Sequence, residues 1–278
     1  MKQAVLILAN KDTLALRNLL IEFNDERFDL YVHFDKKEED QFQSIKKFTN
    51  QNPNVSNVFW VRREKVQWAA PSMVKAELEL FKAANKYGPY RYCHLVSDSD
   101  CLLKSVDAIW DFFNCAEGEW LSEIERNASN VHRFQYFYPF MEYGVRNHNV
   151  VWILQKILLM TQRILGIKRK IPYREVLKAS QWGSFTGKFV QAIVKNEIEI
   201  LREIKYTSTP DEHYKAGLLL KYQNDFRYNA NNLRYVNFKD GNSPNYLSEK
   251  EYIEASRTNY IFARKVDDAF CNEFIKRT

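Results

Sequence analysis

Glycine is scarce in this 278-residue chain, with 8 residues, which argues against a loop-dominated or repeat architecture. Cysteine is scarcer still, with 4. Cys93, Cys101, Cys115 and Cys271 form neither a CxxC pair nor a paired framework, so a disulfide scaffold is excluded and reduced structural thiols are expected. Long apolar runs are missing too. The first one, Ala4-Val5-Leu6-Ile7-Leu8-Ala9, is too short for a signal peptide's apolar region plus cleavage site, and far too short to span a bilayer. It reads as a buried strand, and a cytoplasmic protein is expected, at most peripheral to the inner face of the membrane. No Lys/Arg run is long enough for a nucleic-acid tail and no DNA- or RNA-binding motif occurs, so nucleic acid is not an expected partner.

What is present is a net charge of +6 and an aromatic content of 15%. The charge points to anionic partners such as a nucleotide diphosphate or an anionic membrane surface. The aromatics suit ring-shaped ligands as well as an aromatic core. The length fits one large domain or two tightly joined halves.

Residues 4–9 and 28–34 pattern as strands, with helical spacing over Thr13 to Phe23 between them. This β-α-β opening implies a parallel sheet covered by helices. Further strands are expected over 55–61, 92–96 and 234–238, and helices over 71–86, 107–113 and 187–206. Val150 to Leu165 is an apolar helix followed by Lys168-Arg169-Lys170. A lid or core helix is preferred for residues 150–170; an interfacial helix on an anionic membrane is the alternative. A turn is expected over Asp240 to Pro244.

Four clusters could carry chemistry. Asp98-Ser99-Asp100 ends a predicted parallel strand, where open α/β sheets bind ligands. Two carboxylates at i and i+2 could hold a divalent metal against a diphosphate, or simply accept backbone N–H bonds in a turn. Glu212, in Pro210-Asp211-Glu212-His213, could act as a general base, or the acids could favour a helix start. Arg264-Lys265, with Arg257 upstream, could neutralise a diphosphate leaving group, or form a solvated basic face. Ser180-Gln181-Trp182 needs nothing beyond a buried Trp near a turn. None of these is decisive alone.

Their order is more specific. Tyr31-Val32-His33-Phe34-Asp35-Lys36-Lys37 comes first, then Val66-Gln67-Trp68 through Ser72-Met73-Val74-Lys75-Ala76. His94-Leu95-Val96-Ser97 with Asp100 and Lys104-Ser105 follows, then Ser180-Gln181-Trp182 and Pro210-Asp211-Glu212. Leu233-Arg234-Tyr235-Val236, Asn242-Ser243-Pro244 and Phe262-Ala263-Arg264-Lys265 complete the set. Together these segments, spread over about residues 3–275, resemble glycosyltransferase family 14, the core-2/I-branching N-acetylglucosaminyltransferases and peptide O-xylosyltransferases, in a bacterial-type member.

The resemblance implies a GT-A-like nucleotide-sugar-binding α/β fold with a mixed, mostly parallel sheet flanked by helices. It implies a single glycosyltransferase domain over 1–278, with a nucleotide-binding half (1–115) and an acceptor-binding and catalytic half (116–278). It also implies inverting transfer of N-acetylglucosamine or xylose from a UDP-sugar to a hydroxyl of a glycan acceptor, with no cofactor and no divalent metal. By position, Glu212 matches the catalytic base and Lys265, with Arg264 beside it, the cation on the diphosphate. Asp35 and Asp100 fall in donor-side motifs. Phe238 and Trp182 fall on the acceptor side, with Glu125 and Arg133 in the variable acceptor region.

Three departures bear on this. Asp98 stands where the family usually has Gly, and that substitution creates the apparent metal doublet. Ala179 replaces a Gly before the Ser-x-Trp stretch. One further diphosphate Arg lacks a match, leaving Arg234 or Arg257 as candidates to take its place. The competing readings are a metal-dependent GT-A transferase using Asp98 and Asp100, and an inactive sugar-nucleotide-binding protein.

Overall fold

The computed structural model describes residues 1–55, 57–126, 131–145, 149–170, 177–238 and 243–273. The first third alternates β1 (Gln3–Ala9), α1 (Leu14–Glu22), β2 (Phe28–Phe34), α2 (Glu39–Gln51), β3 (Val58–Trp60) and α3 (Pro71–Tyr87). Next come β4 (Tyr92–Ser97), β5 (Asp100–Leu102), α4 (Val106–Cys115), β6 (Glu119–Leu121), β7 (Glu125–Arg126), α5 (His132–Gln135) and α6 (Val150–Ile164). The remainder begins with β8 (Leu177–Lys178), β9 (Gly183–Thr186), α7 (Gly187–Lys195), α8 (Glu197–Ile204) and α9 (Tyr214–Lys221). It ends with β10 (Tyr228–Ala230), β11 (Arg234–Val236), α10 (Glu249–Ser256), β12 (Phe262–Arg264) and α11 (Asp268–Glu273).

β1 is apolar almost throughout because both faces of its sheet are covered. With a side-chain period of two, Ala4, Leu6 and Leu8 meet Phe81 of α3 and Phe189 of α7 on one face. Val5 and Ile7 meet Leu16 and Leu19 of α1 and Phe113 of α4 on the other. The sheet runs β10-β6-β9-β4-β1-β2-β3, parallel throughout except for β9, which opposes both β4 and β6. This is the mixed, mostly parallel sheet flanked by helices that was expected. Strands from both halves of the chain enter it.

A second sheet, β11-β12-β5, pairs Arg264 directly with Asp100. A third pairs β7 with β8. His94 is fully buried and serves the framework: its ring nitrogens bond Gln3 Oε1 and Ser184 Oγ, both at 2.9 Å, linking β4 to β1 and β9.

Several expectations need correcting. The third strand is shorter than 55–61. The helix expected over 187–206 is two helices, α7 and α8, broken at Asn196. Its Nδ2 bonds back to Ala192 O at 2.7 Å while its Oδ1 accepts from Lys221 Nζ at 3.1 Å, a side-chain competition with the helix ladder. α2 has no strong apolar signature, burying only Ile45 and Thr49. α6 is not a core helix: Val150, Met160 and Ile164 are 70%, 63% and 72% exposed. The turn over Asp240 to Asn242 lies outside the described residues. Among the described residues, no helix is long and apolar enough to cross a membrane.

Candidate active site

Every parallel strand of the large sheet points its C-terminal end toward one edge, where ligands of open α/β sheets gather. β1 ends there at Ala9, β2 at Phe34 and β4 at Ser97. Because β9 runs the other way, its start puts Trp182 at the same edge. The antiparallel pairing of β12 with β5 brings Arg264 there beside Asp100, and β11, parallel to β12, delivers Asn237 and Phe238.

Glu212 closes a 3₁₀ turn, Pro210–Glu212, whose preceding residue Thr209 has φ 54°. Ala69, φ 61°, is its neighbour: Thr209 N donates to Ala69 O at 2.8 Å. Two non-glycine residues in the left-handed region, bonded to each other, are a local strain of the kind that clusters at functional sites. The turn is clamped from both ends. Ala179 N donates to Glu212 O at 2.7 Å, and Arg133 Nη1 reaches Glu212 Oε2 at 3.1 Å. Arg133 thus lies on the candidate base itself. Glu125, on β7, pairs with Lys178 of β8 at 3.5 Å, one residue before Ala179.

Behind the turn lies a buried ionic network. Lys215 Nζ bonds Glu77 Oε2 at 2.6 Å and Asp211 O at 3.1 Å. Gln181 Nε2 and the Tyr214 hydroxyl also donate to the Glu77 carboxylate. Helix α3, the Ser180-Gln181-Trp182 segment, the 3₁₀ turn and α9 are therefore fixed to one carboxylate. Asp211 is buried with Oδ1 unpartnered. Burial, reinforced by the Glu77 and Glu212 carboxylates and offset by Lys215, pushes its carboxyl up to about 7. His213 donates to or accepts from nothing at Nε2, and burial lowers it to about 4, so its ring is neutral.

On the cation side, Arg264 is 7% exposed and stacks on Trp182 with its guanidinium carbon 4.3 Å from the ring centroid. Its Nε lies 3.6 Å from Asp100 Oδ1, too long for a hydrogen bond, and both Nε and Nη1 lack partners. A buried cation with orphaned donors is expensive unless an anion completes it. Lys265 follows, its backbone N–H donating to Asn245 O at 3.4 Å, and its ammonium 6.0 Å from the Tyr246 ring centroid. Phe238 is 59% exposed.

Three donor-side candidates bond within the strand ends around them. Arg234 is buried with its guanidinium turned inward, donating to Ser184 Oγ (3.0 Å), Leu95 O (3.2 Å) and Gly183 O (2.7 Å). Desolvation lowers it to about 9. Asp100 is fully buried and accepts from Ser97 N and Ser97 Oγ. Asp35 accepts from Lys37 N at 2.9 Å and Val66 N at 3.2 Å, tying the 61–70 loop to the end of β2. Asp35 Oδ2 also lies 3.5 Å from Lys37 Nζ, and Arg234 Nε has no hydrogen-bond partner. Arg257 is exposed at the end of α10, before the far end of β12. Asp98 likewise accepts from Asn10 N and Lys11 N, at 2.8 and 2.9 Å. Among the described residues, no three His, Cys, Asp or Glu side chains converge as a metal site would need.

Sequence reading missed a charged cavity of about 580 Å³ beside Asp35, where Lys36, Arg62, Arg63, Lys65 and Lys75 converge with Ser72 and with Glu39, Glu64 and Glu142. Its volume suits a small-molecule ligand. The signal was the Arg62-Arg63-Glu64-Lys65 run just after a strand, diluted by its Glu. The larger cavity, about 760 Å³, lies at the opposite edge, by Met1, Arg91 and Glu119. It contains none of the candidate residues.

The profile of the Core-2/I-Branching enzyme family, Branch, matches residues 4–261. Similar solved structures include a glucose-1-phosphate thymidylyltransferase from Bacillus anthracis in complex with a sucrose. It is 9% identical with a TM-score of 0.42, over 82% of this chain and 86% of that one. Another is the galactosyltransferase LgtC with donor and acceptor sugar analogs, 10% identical with a TM-score of 0.40, over 94% and 86% of the two chains. Among curated proteins, no sequence matches.

Proposed function

The chain belongs to the Core-2/I-Branching enzyme family and is a glycosyltransferase; from that premise we propose that it transfers a sugar from a UDP-sugar to a glycan hydroxyl by one inverting displacement. Glu212 takes the proton of the acceptor hydroxyl as its oxygen attacks the anomeric carbon. The bond from that carbon to the diphosphate oxygen breaks, and its electron pair leaves with UDP. Arg264 and Lys265 meet the developing charge, the role a metal ion plays in other transferases. The GT-A-like description of the sheet comes with the family.

The observation that carries this reading is a clamped, partly exposed carboxylate together with a buried cation whose Nε and Nη1 lack hydrogen-bond partners. Trp182 joins the two. Its segment bonds the Glu77 network behind the base, and its ring carries Arg264. Arg133 fixes the orientation of the Glu212 carboxylate, and Phe238 offers an exposed ring face for a sugar. The Asp98 carboxylate already serves two backbone N–H groups, which favours the metal-free version.

Glu212→Gln is expected to lower turnover by about 10²–10⁴-fold while leaving UDP affinity nearly unchanged. Transfer close to wild type would overturn the base assignment. UDP-N-acetylglucosamine and UDP-xylose, assayed side by side, identify the donor, and the product's anomeric configuration by NMR tests inversion. Activity is expected to survive EDTA; strict Mn²⁺ dependence would return Asp98 and Asp100 to the reaction.

A further inference from the structure

Helix α6 wears its polarity inside out. Its buried face carries Gln155, Leu159 and Gln162, while Val150, Ile153, Leu154, Ile157, Met160 and Ile164 form a continuous outward stripe. The helix is not free to roll over. Gln162 Oε1 accepts from Phe137 N at 2.7 Å, and Gln162 Nε2 donates to Phe137 O at 3.1 Å. Gln155 adds bonds to Phe137 O (3.3 Å) and from Phe140 N (3.4 Å). Turning the apolar stripe inward would break these four bonds and strand two amides. The exposure is built in.

The charge along the segment that carries the stripe has one sign. No Asp or Glu occurs between Glu142 and Glu175, whereas Lys156, Arg163, Lys168 and Lys170 are all exposed. An apolar stripe about 22 Å long with a cationic border matches an anionic bilayer: acyl chains meet the stripe and phosphates meet the border. A second copy of the chain fits worse, since a two-fold contact would bring the same cations together. We propose that α6 lies in the interfacial plane of an anionic lipid bilayer. The helix lies on the membrane and does not cross it.

Leu159, on the inner face, packs with Ala69 and Ala70, and the Ala69 carbonyl holds Thr209 just before the Glu212 turn. The lipid-facing helix therefore backs the wall of the candidate site. Combined with the transfer reaction proposed above, this makes a lipid-borne glycan the acceptor class. That last step rests on the transfer reading, while the lipid contact does not.

Flotation of the full chain with vesicles tests the contact. Wild type is expected to float with phosphatidylcholine vesicles containing phosphatidylglycerol and to release as salt rises. The pair Ile157→Glu and Met160→Glu is expected to cut binding by about tenfold or more. Both positions are exposed, so circular dichroism and the melting temperature should stay at wild-type values. The pair Lys156→Glu and Lys168→Glu should weaken binding to the anionic vesicles by a similar factor of about ten. Three outcomes would overturn the proposal: wild type failing to float, the apolar variant floating equally well, or light scattering showing a wild-type dimer that the apolar variant breaks into monomers. Wild type that fails to float yet transfers sugar to a soluble acceptor would overturn the lipid contact while leaving the transfer reading standing.

Discussion

At the level of single residues, neighbouring acids in this chain do different work. Asp211 and Glu212 are adjacent, yet one is buried behind the turn and the other faces Arg133. Raised to about 7 by burial, Asp211 favours the folded state most where it is protonated. Its folded pKa lies above the ordinary 3.8, so this contribution is complete below about pH 4 and is lost as pH rises toward 7. Asp211→Asn, neutral at every pH, should remove that decline. Melting temperatures of both proteins between pH 4 and 8 check it: the wild type should lose ground to the variant as pH rises. The sequence made Glu212 legible only through the order of its neighbouring motifs, because a carboxylate after a proline has many uses. Asp98-Ser99-Asp100 was the more conspicuous feature, and its carboxylates hold backbone and side-chain groups of the strand-end loops. The orphaned donors of Arg264 were invisible, because they depend on a strand pairing across more than half the chain.

At the level of elements, legibility followed burial. β1, β2 and β4 are apolar runs buried on both faces and could be read directly, as could α1, α3 and α4. Strands of two to four residues, such as β6, β8 and β9, are too short for any period to register. α6 shows a different limit. Helical spacing reveals that a stripe exists, but which face is wet depends on what the other face bonds. The junction of β9 and α7 supplies a sharp test of packing. A Cβ at Gly187 would run into the Tyr90 carbonyl oxygen, a backbone atom that cannot swing away. Gly187→Ala should therefore cost about 1–3 kcal/mol by overpacking, read as a lower denaturation midpoint with an unchanged slope in urea.

At the scale of the whole molecule, strands from both sides of residue 115 interleave in the large sheet. β9 lies between β4 and β6, and β10 closes the far edge, so a fragment of residues 1–115 leaves β4 without a neighbour on one side. That fragment should be unfolded or aggregated by circular dichroism and gel filtration, whereas the full chain is not. The sequence carried the architecture because alternating strands and helices leave few choices. It could not say which late strand returns to pair with an early one.

That return has a consequence in time. His94 and its partner Ser184 are separated by 90 residues. At about 5–20 residues per second, a growing chain waits roughly 5–20 s after making β4 before β9 can leave the ribosome. Through that interval Tyr92-Cys93-His94-Leu95-Val96, uncharged and strand-prone, offers an open edge to any neighbouring nascent chain. The yield of native protein from a cell is thus set partly by how fast those 90 residues are translated and by what shields that edge in the meantime.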